Sequence, residues 1–299
     1  MTSAGPTGPW KHEFASVDCV RLHYVRQGYG APVILLHGWP GFWYEWAPVI
    51  PPLARQHDVI VPDLRGFAYS DKPPVSPDDG YHRDVVAREL AAFARTLGLA
   101  RVAVVAHDIG AVVAQPLARL HPGLVTRLVL FDPPYPGIGR RWREPGHAKE
   151  VWYQIFHTLP WAEELVGASR DTIRVYLRHF LTHWSGRKAW VTEQELDHWV
   201  DAYAQPGALR GGFSYYRARE RTRTTDGVLP PAEFSVRVPT LVLWGTDDPV
   251  LPFAWTDRLS EYFPQLTVKR IPAVGHFMMR EAPDLVVEEV LAFLGEERA

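Results

Sequence analysis

Apolar residues along this chain fall into two alternating rhythms. Short, partly β-branched runs, Val33-Ile-Leu-Leu36, Val59-Ile-Val61, Val102-Ala-Val-Val105, Leu128-Val-Leu130 and Leu241-Val-Leu243, are bounded by Gly, Pro or Asp. Such runs read as buried strands. Residues 85–97 and 111–120 carry apolar positions at helical spacing instead. A last strand is expected at residues 268–271, and residues 14–26 read as two antiparallel strands that join a sheet edge. Strands alternating with helices predict a mostly parallel sheet flanked by helices, an α/β fold.

That rhythm breaks after Leu130. Between Pro133 and Pro231 the pattern predicts helices and no strand, most clearly over residues 152–156, 172–183 and 193–203. Strand alternation is expected to resume at Val236. A helical block inserted in an α/β sheet reads as a lid that closes a pocket. The expected division is a core of residues 1–133 and 231–299 with a helical cap of residues 134–230. The Pro- and Gly-rich borders, Pro133-Pro-Tyr-Pro-Gly137 and Leu229-Pro-Pro231, read as its hinges.

Composition narrows the function classes. The 299 residues are 46% hydrophobic and 22% charged, enough to build a sizeable core. A formal net charge of −2 gives no reason to expect nucleic acid or an anionic membrane as partner. The single cysteine, Cys19, allows no internal disulfide and no cysteine-rich metal site. Residues 1–10 lack the basic and apolar regions of a signal peptide, and no apolar run reaches membrane-spanning length. A cytoplasmic protein without cofactor or metal is the expectation. Seven of the 12 tryptophans lie between Trp142 and Trp244, which hints at an aromatic site in the later half, although core packing accounts for tryptophans equally well.

The chemistry concentrates at Val104-Val-Ala-His-Asp-Ile-Gly-Ala111. A buried strand runs into Asp108 and a helix of small residues follows at once. A side chain on such a turn is lifted above the sheet at a helix N-terminus, where N–H groups stabilise negative charge. The same position suits a simple helix cap, so the partners decide. An ionised aspartate attacks without a base, but the ester it forms must then be hydrolysed, and the base is needed for that step. His276, in Val274-Gly-His-Phe277 after the last strand, is the candidate base. The orienting acid is Asp248 in Trp244-Gly-Thr-Asp-Asp-Pro249, with Asp132, at the end of the strand before the insertion, as the alternative acid. Leu36-His-Gly-Trp-Pro-Gly41 turns over the nucleophile, so Trp39 N–H and Ile109 N–H are the expected oxyanion donors. The Trp39–Pro40 bond is the candidate for a cis peptide.

With these residues in view, the chain resembles the α/β-hydrolase superfamily. The resemblance is carried by the His-Gly-Trp-Pro turn, Asp63-Leu-Arg-Gly66, the Ala-His-Asp-Ile-Gly elbow, Trp-Gly-Thr-Asp-Asp and Gly-His-Phe, and it covers nearly the whole chain. It points to the aspartate-nucleophile branch of epoxide hydrolases, haloalkane dehalogenases and fluoroacetate dehalogenases. The resemblance implies the α/β-hydrolase fold with an inserted cap, and the order nucleophile, acid, histidine. Soluble epoxide hydrolases use two cap tyrosines, one in a Tyr-Gln and one in a Tyr-Arg context. Trp152-Tyr-Gln154 and Ser214-Tyr-Tyr-Arg217 match, which implies Tyr153 and Tyr216 as proton donors to the epoxide oxygen. Their neighbours His107, Trp152, Tyr215 and Phe277 are expected to touch substrate.

The dehalogenases of the branch differ at the nucleophile. Haloalkane dehalogenases place Trp directly after it, and fluoroacetate dehalogenases place Arg there and three residues on; here those positions hold Ile109 and Val112. The early-cap His-Trp pair of the fluoroacetate enzymes is replaced by Gln154-Ile155. The leading expectation is hydrolysis of a small hydrophobic epoxide to a vicinal diol, with water as co-substrate. Dehalogenation on the same aspartate is the runner-up, and a non-catalytic ligand-binding hydrolase fold is the third reading.

Overall fold

The structure is a computed structural model that describes residues 8–222 and 230–295. Eight strands form one sheet: β1 (Lys11–Val17), β2 (Val20–Gln27), β3 (Ala31–Leu36), β4 (His57–Pro62), β5 (Val102–His107), β6 (Val125–Phe131), β7 (Thr240–Gly245) and β8 (Leu266–Ile271). Their spatial order is β1-β2-β4-β3-β5-β6-β7-β8. β1 and β2 pair antiparallel, β2 pairs antiparallel with β4, and every later pairing is parallel. The all-apolar run of β5 is buried at every position, as a central strand covered on both faces requires. β8, at the edge, is exposed over residues 267–270.

Helices flank the sheet. The first two longer than one turn are α1 (Arg83–Thr96) and α2 (Ile109–Leu120), which pack on each other. α1 buries Val86, Ala87, Leu90, Ala91, Phe93 and Ala94, the helical stripe seen in the sequence. Between β6 and β7 every described element is helical: α3 (Ala148–Phe156), α4 (Arg170–His183), α5 (Glu193–Tyr203) and α6 (Ala208–Thr222), with shorter turns between them. α4 starts on a Ser169–Thr172 capping box, and α5 on the Thr192 side chain. α7 (Pro283–Gly295) closes the fold. Among the described residues no helix is long and apolar enough to cross a membrane.

One boundary differs from expectation. Residues 236–239 are not a strand; β7 begins at Thr240, after a one-turn helix Pro231–Phe234. Pro239 has no N–H to give a ladder and restricts Val238 before it, so the strand starts beyond them. Of the expected second hinge, Leu229 lies outside the described residues.

Candidate active site

The site is assembled where the parallel strands end. β5 delivers the chain to Asp108, and α2 starts at the next residue. Asp108 has φ 48° and ψ −114°, a positive-φ conformation that a side chain adopts only when its surroundings enforce it. Space dictates the flanking residues: a Cβ on Gly38 would overlap the Asp108 side chain, and one on Gly110 would strike the Leu36 and His37 carbonyls. The turn after β3 comes close enough for Trp39 N–H to donate to Asp108 Oδ1 at 2.9 Å. Ile109 opens α2, so its N–H belongs to the set with no intrahelical acceptor. The Trp39–Pro40 peptide is cis. His37 secures this turn: its Nε2 accepts from Leu64 N–H at 3.0 Å. Asp63 in turn accepts from Trp43 N–H at 2.8 Å and pairs with His23 at 2.8 Å. The Asp63-Leu-Arg-Gly66 motif is thus a brace for the turn.

His276 is fully buried on the loop after β8. Its Nδ1 lies 2.7 Å from Asp248 Oδ2, and its Nε2 lies 4.0 Å from Asp108 Oδ2. Asp248 is held in turn by Val250 N–H (2.7 Å) and Leu251 N–H (3.0 Å) on its other oxygen. Burial pulls the His276 imidazole down, but the charge and hydrogen bond of Asp248, then the charges of Asp108 and Glu45, outweigh it and leave the pKa raised. The two acids differ in kind. Asp132 is fully buried and accepts from Gly245 N–H at 2.8 Å. Burial first, and then the charge of Asp248, push its carboxyl well above the usual range. Asp132, Asp248 and His276 each bring a ligand atom within 4.8 Å of the others. A metal ion there would have to displace the His276–Asp248 hydrogen bond.

Above Asp108 stands a cage of aromatic rings centred on Trp39. Tyr153 of α3 stacks on the Trp39 ring at 5.3 Å and 10°, and Tyr216 of α6 meets it edge-on at 6.1 Å. The two tyrosine rings lie 5.6 Å apart, and both are buried. Gln154 Nε2 donates to Tyr153 Oη at 3.3 Å. His157, four residues after Tyr153 and so on the same helical face, stacks on Phe213 at 3.9 Å and shares a 2.7 Å hydrogen bond with Tyr176. Trp184 bridges the two halves, its ring 5.7 Å from Trp39 and 5.1 Å from His276.

The structure therefore brings together Asp108, Trp39, Ile109, His276, Asp248, Tyr153 and Tyr216, with Asp132 just behind. The four residues expected to touch substrate have the following surroundings. Trp152 is 40% exposed, its ring against Phe156, Tyr176, His179 and Phe180. Tyr215 donates to the Arg65 carbonyl at 3.0 Å and packs on Phe67 and Tyr81, because adjacent residues of α6 point about 100° apart. Phe277 is buried among His276, Trp184 and Trp190, where it supports the loop. His107 lies 4.5 Å from His276, ring to ring, and pairs with Glu45 at 3.3 Å. Burial pushes Glu45 up and His107 down. Glu45, His157, Tyr176 and Trp184 are the neighbours that sequence reasoning missed. Only Glu45, a carboxylate four residues beyond the Leu36–Gly41 turn in an aromatic run, left a signal.

The comparisons with known proteins agree with this geometry. The family model described as alpha/beta hydrolase fold matches residues 31–283. The chain is 33% identical to a soluble epoxide hydrolase of Corynebacterium sp. (strain C12), over 96% of this chain and 98% of that protein. It is 29% identical to epoxide hydrolase 4 of Homo sapiens, over 93% of this chain and 76% of that one. The solved structure of the epoxide hydrolase CorEH without ligand superposes with a TM-score of 0.81 at 30% identity, covering 95% and 98% of the two chains. The chain belongs to the α/β-hydrolase fold family, in the branch that holds these epoxide hydrolases.

Proposed function

We propose that this protein is an epoxide hydrolase that works through a covalent ester on Asp108. One observation carries the reading: a carboxylate occupies the elbow, within 4.0 Å of a histidine that is itself bound to a second acid. The tyrosine pair above it and the names of the relatives support the substrate class. In the first step an Asp108 oxygen attacks an epoxide carbon and the carbon–oxygen bond breaks. The released oxygen takes a proton from Tyr153 or Tyr216. In the second step His276 removes a proton from water, and the hydroxide adds to the ester carbonyl. The oxyanion so formed is held by the N–H groups of Trp39 and Ile109. Collapse expels the second diol oxygen, which takes the proton from His276. The proton left on Asp108 returns to the phenolate and regenerates the phenol and the Asp108 carboxylate. The sum is epoxide plus water to vicinal diol. Asp248 orients His276 throughout.

In this reading residues 134–230 act as the cap, and the site works closed, since Asp108 is only 7% exposed. Water is then admitted in small number, and every charge interaction in the site is strengthened. The test is a single turnover in oxygen-18 water with enzyme in excess over an aryl epoxide. The first diol is expected to carry little label, with the label retained on Asp108. Prompt full labelling of that diol would mean direct attack by water and would overturn the ester. Release of halide from haloalkanes faster than diol from epoxides would move the assignment to dehalogenation.

A further inference from the structure

His276 does not hang from the core alone. Its own N–H donates to the carbonyl of Trp184, in the segment that follows α4, at 2.8 Å. A single carboxylate, Glu281, stitches the same two segments together. Glu281 closes the short helix Met278–Glu281 and is 8% exposed. Its Oε2 accepts from Gly275 N–H at 2.9 Å and from Arg187 N–H at 2.8 Å. Its Oε1 accepts from Phe277 N–H at 3.1 Å. The carboxylate thus grips the residues on both sides of His276 and, across the seam, the backbone of the helical insertion. The Arg187 guanidinium adds a further bond to the Ala273 carbonyl at 3.0 Å.

The seam is built for backbone contact. A Cβ on Gly275 would overlap the Trp184 carbonyl and Gly186 N. A Cβ on Gly186 would stand 3.0 Å from Gly275 N and 3.2 Å from the Asp247 side chain. Only two glycines let the strands of chain lie this close. Charge-assisted hydrogen bonds to N–H groups are stronger and shorter than neutral ones, and three on one carboxylate define a position in all directions. Trp184, whose carbonyl takes the His276 N–H, also sets its ring between His276 and Trp39. Any shift of the insertion at this seam is therefore delivered to the imidazole.

We infer that Glu281 is a positioning residue that locks the His276 loop to the helical insertion, so that ester hydrolysis proceeds only with the insertion seated. The inference rests on the two-step reading above, in which His276 serves hydrolysis and not alkylation. Glu281→Gln keeps the size of the side chain and one acceptor, but turns an NH2 group toward backbone N–H donors. Hydrolysis of the alkyl-enzyme is expected to fall about 100-fold, the cost of misplacing a reacting group by about 1 Å. Alkylation is expected to stay within about threefold of wild type. Stopped-flow tryptophan fluorescence with an aryl epoxide reads both steps, and mass spectrometry reads the accumulated adduct. Glu281→Asp, one methylene short of Arg187, is expected to fall between wild type and Gln.

Gly186→Ala provides the second variant. It leaves Glu281 intact and presses the insertion away from the loop, so it is expected to slow hydrolysis with alkylation preserved. Equal loss of both steps in Glu281→Gln, or no loss in either, would overturn the positioning role. Wild-type hydrolysis in Gly186→Ala would overturn the link to the insertion. A readout without substrate keeps the two proposals apart. The proton that His276 Nδ1 shares with Asp248 gives a downfield resonance, assigned by its absence in Asp248→Asn. It is expected to move or broaden in Glu281→Gln. An unmoved resonance refutes the role of Glu281 even if no epoxide is turned over, whereas absence of any adduct in wild type refutes only the ester mechanism.

Discussion

At the scale of single residues, charge state separates groups that look alike in the sequence. Asp248 and Asp132 both follow a strand of the sheet, and the sequence favours Asp248 without excluding Asp132. Their surroundings rank them. Asp248 faces His276 at 2.7 Å with two N–H groups on its other oxygen. Asp132 accepts from Gly245 N–H at 2.8 Å, and burial and the charge of Asp248 push its carboxyl well above the usual range, which makes it the weaker partner for an imidazolium. Asp248→Asn is expected to slow ester hydrolysis by about 10²- to 10⁴-fold, the loss of the group that orients the imidazole and stabilises its charge. Asp132→Asn is expected to cost less than about tenfold. Single-turnover hydrolysis rates of the two variants check this, and the reverse order would reassign the acid. The pH dependence follows from the same charges. His276 is a base only when neutral, so hydrolysis rises as pH rises through its pKa. In the free enzyme that pKa is raised, partly by the Asp108 charge. Alkylation turns Asp108 into a neutral ester and removes that contribution, which lowers the pKa of His276 for the step that needs it neutral. The acidic limb of ester hydrolysis is expected at lower pH than the titration of His276 in the free enzyme. Rapid-quench hydrolysis rates against pH, set beside the NMR titration of His276, would contradict this if the two coincide or the order is reversed.

At the scale of elements, α3 and α6 of the helical insertion each deliver one phenol to the Trp39 ring. Tyr153→Phe and Tyr216→Phe keep the stacking and remove only the donor. Each is expected to slow alkylation by a factor on the order of 10 to 1,000, and the double variant to be nearly inactive on epoxides while its circular dichroism is unchanged. Wild-type alkylation by the double variant would remove the phenols from the mechanism. Much of this framework was legible in the chain. Strands such as Val102-Ala-Val-Val105 read correctly because a fully buried strand has no choice but to be apolar on both faces. The inserted helices read correctly because α4 and α5 carry both cap signals and a one-sided apolar stripe. The contacts of individual aromatic side chains were not legible. Trp152 and Tyr153 are neighbours in sequence, yet one faces solvent and the other the cage. In an insertion whose helices are aromatic on several sides, periodicity says which residues share a face but not which face meets the core. His157 and Trp184 were invisible for the same reason. Residues 236–239 misled because their apolar alternation leads into a strand without belonging to it.

At the scale of the molecule, the insertion meets the core at two glycine seams among the described residues, and the proposed mechanism assigns them to different steps. One, at Gly186 and Gly275, seats the base. The other, at Gly66 and Gly211, seats α6 and with it Tyr216. There a Cβ on Gly211 would overlap the backbone of Gly66. The Tyr215 hydroxyl holds the Arg65 carbonyl at 3.0 Å beside it, and Arg210 reaches the Lys72 carbonyl at 3.3 Å. Across the rest of the boundary, Glu195 of α5 pairs with Arg280 and accepts from the Tyr44 hydroxyl at 3.5 Å, contacts that can reform after a small slide. The glycine seams cannot yield in that way, because backbone meets backbone. Gly211→Ala is expected to lift α6 by a fraction of a turn's rise and to cost about 1–3 kcal/mol of stability, the usual penalty for overfilling a packed contact. A domain with roughly 5–15 kcal/mol in hand remains folded at 25 °C. Because the displaced helix carries a proton donor and not the base, alkylation is expected to slow by about 10- to 100-fold while hydrolysis of the ester stays near wild type. That is the mirror image of the effect expected at Gly186. Pre-steady-state rates of both steps in the two alanine variants make the comparison. If Gly211→Ala slows hydrolysis as much as alkylation, the insertion moves as one rigid piece, and the assignment of one seam to each step fails.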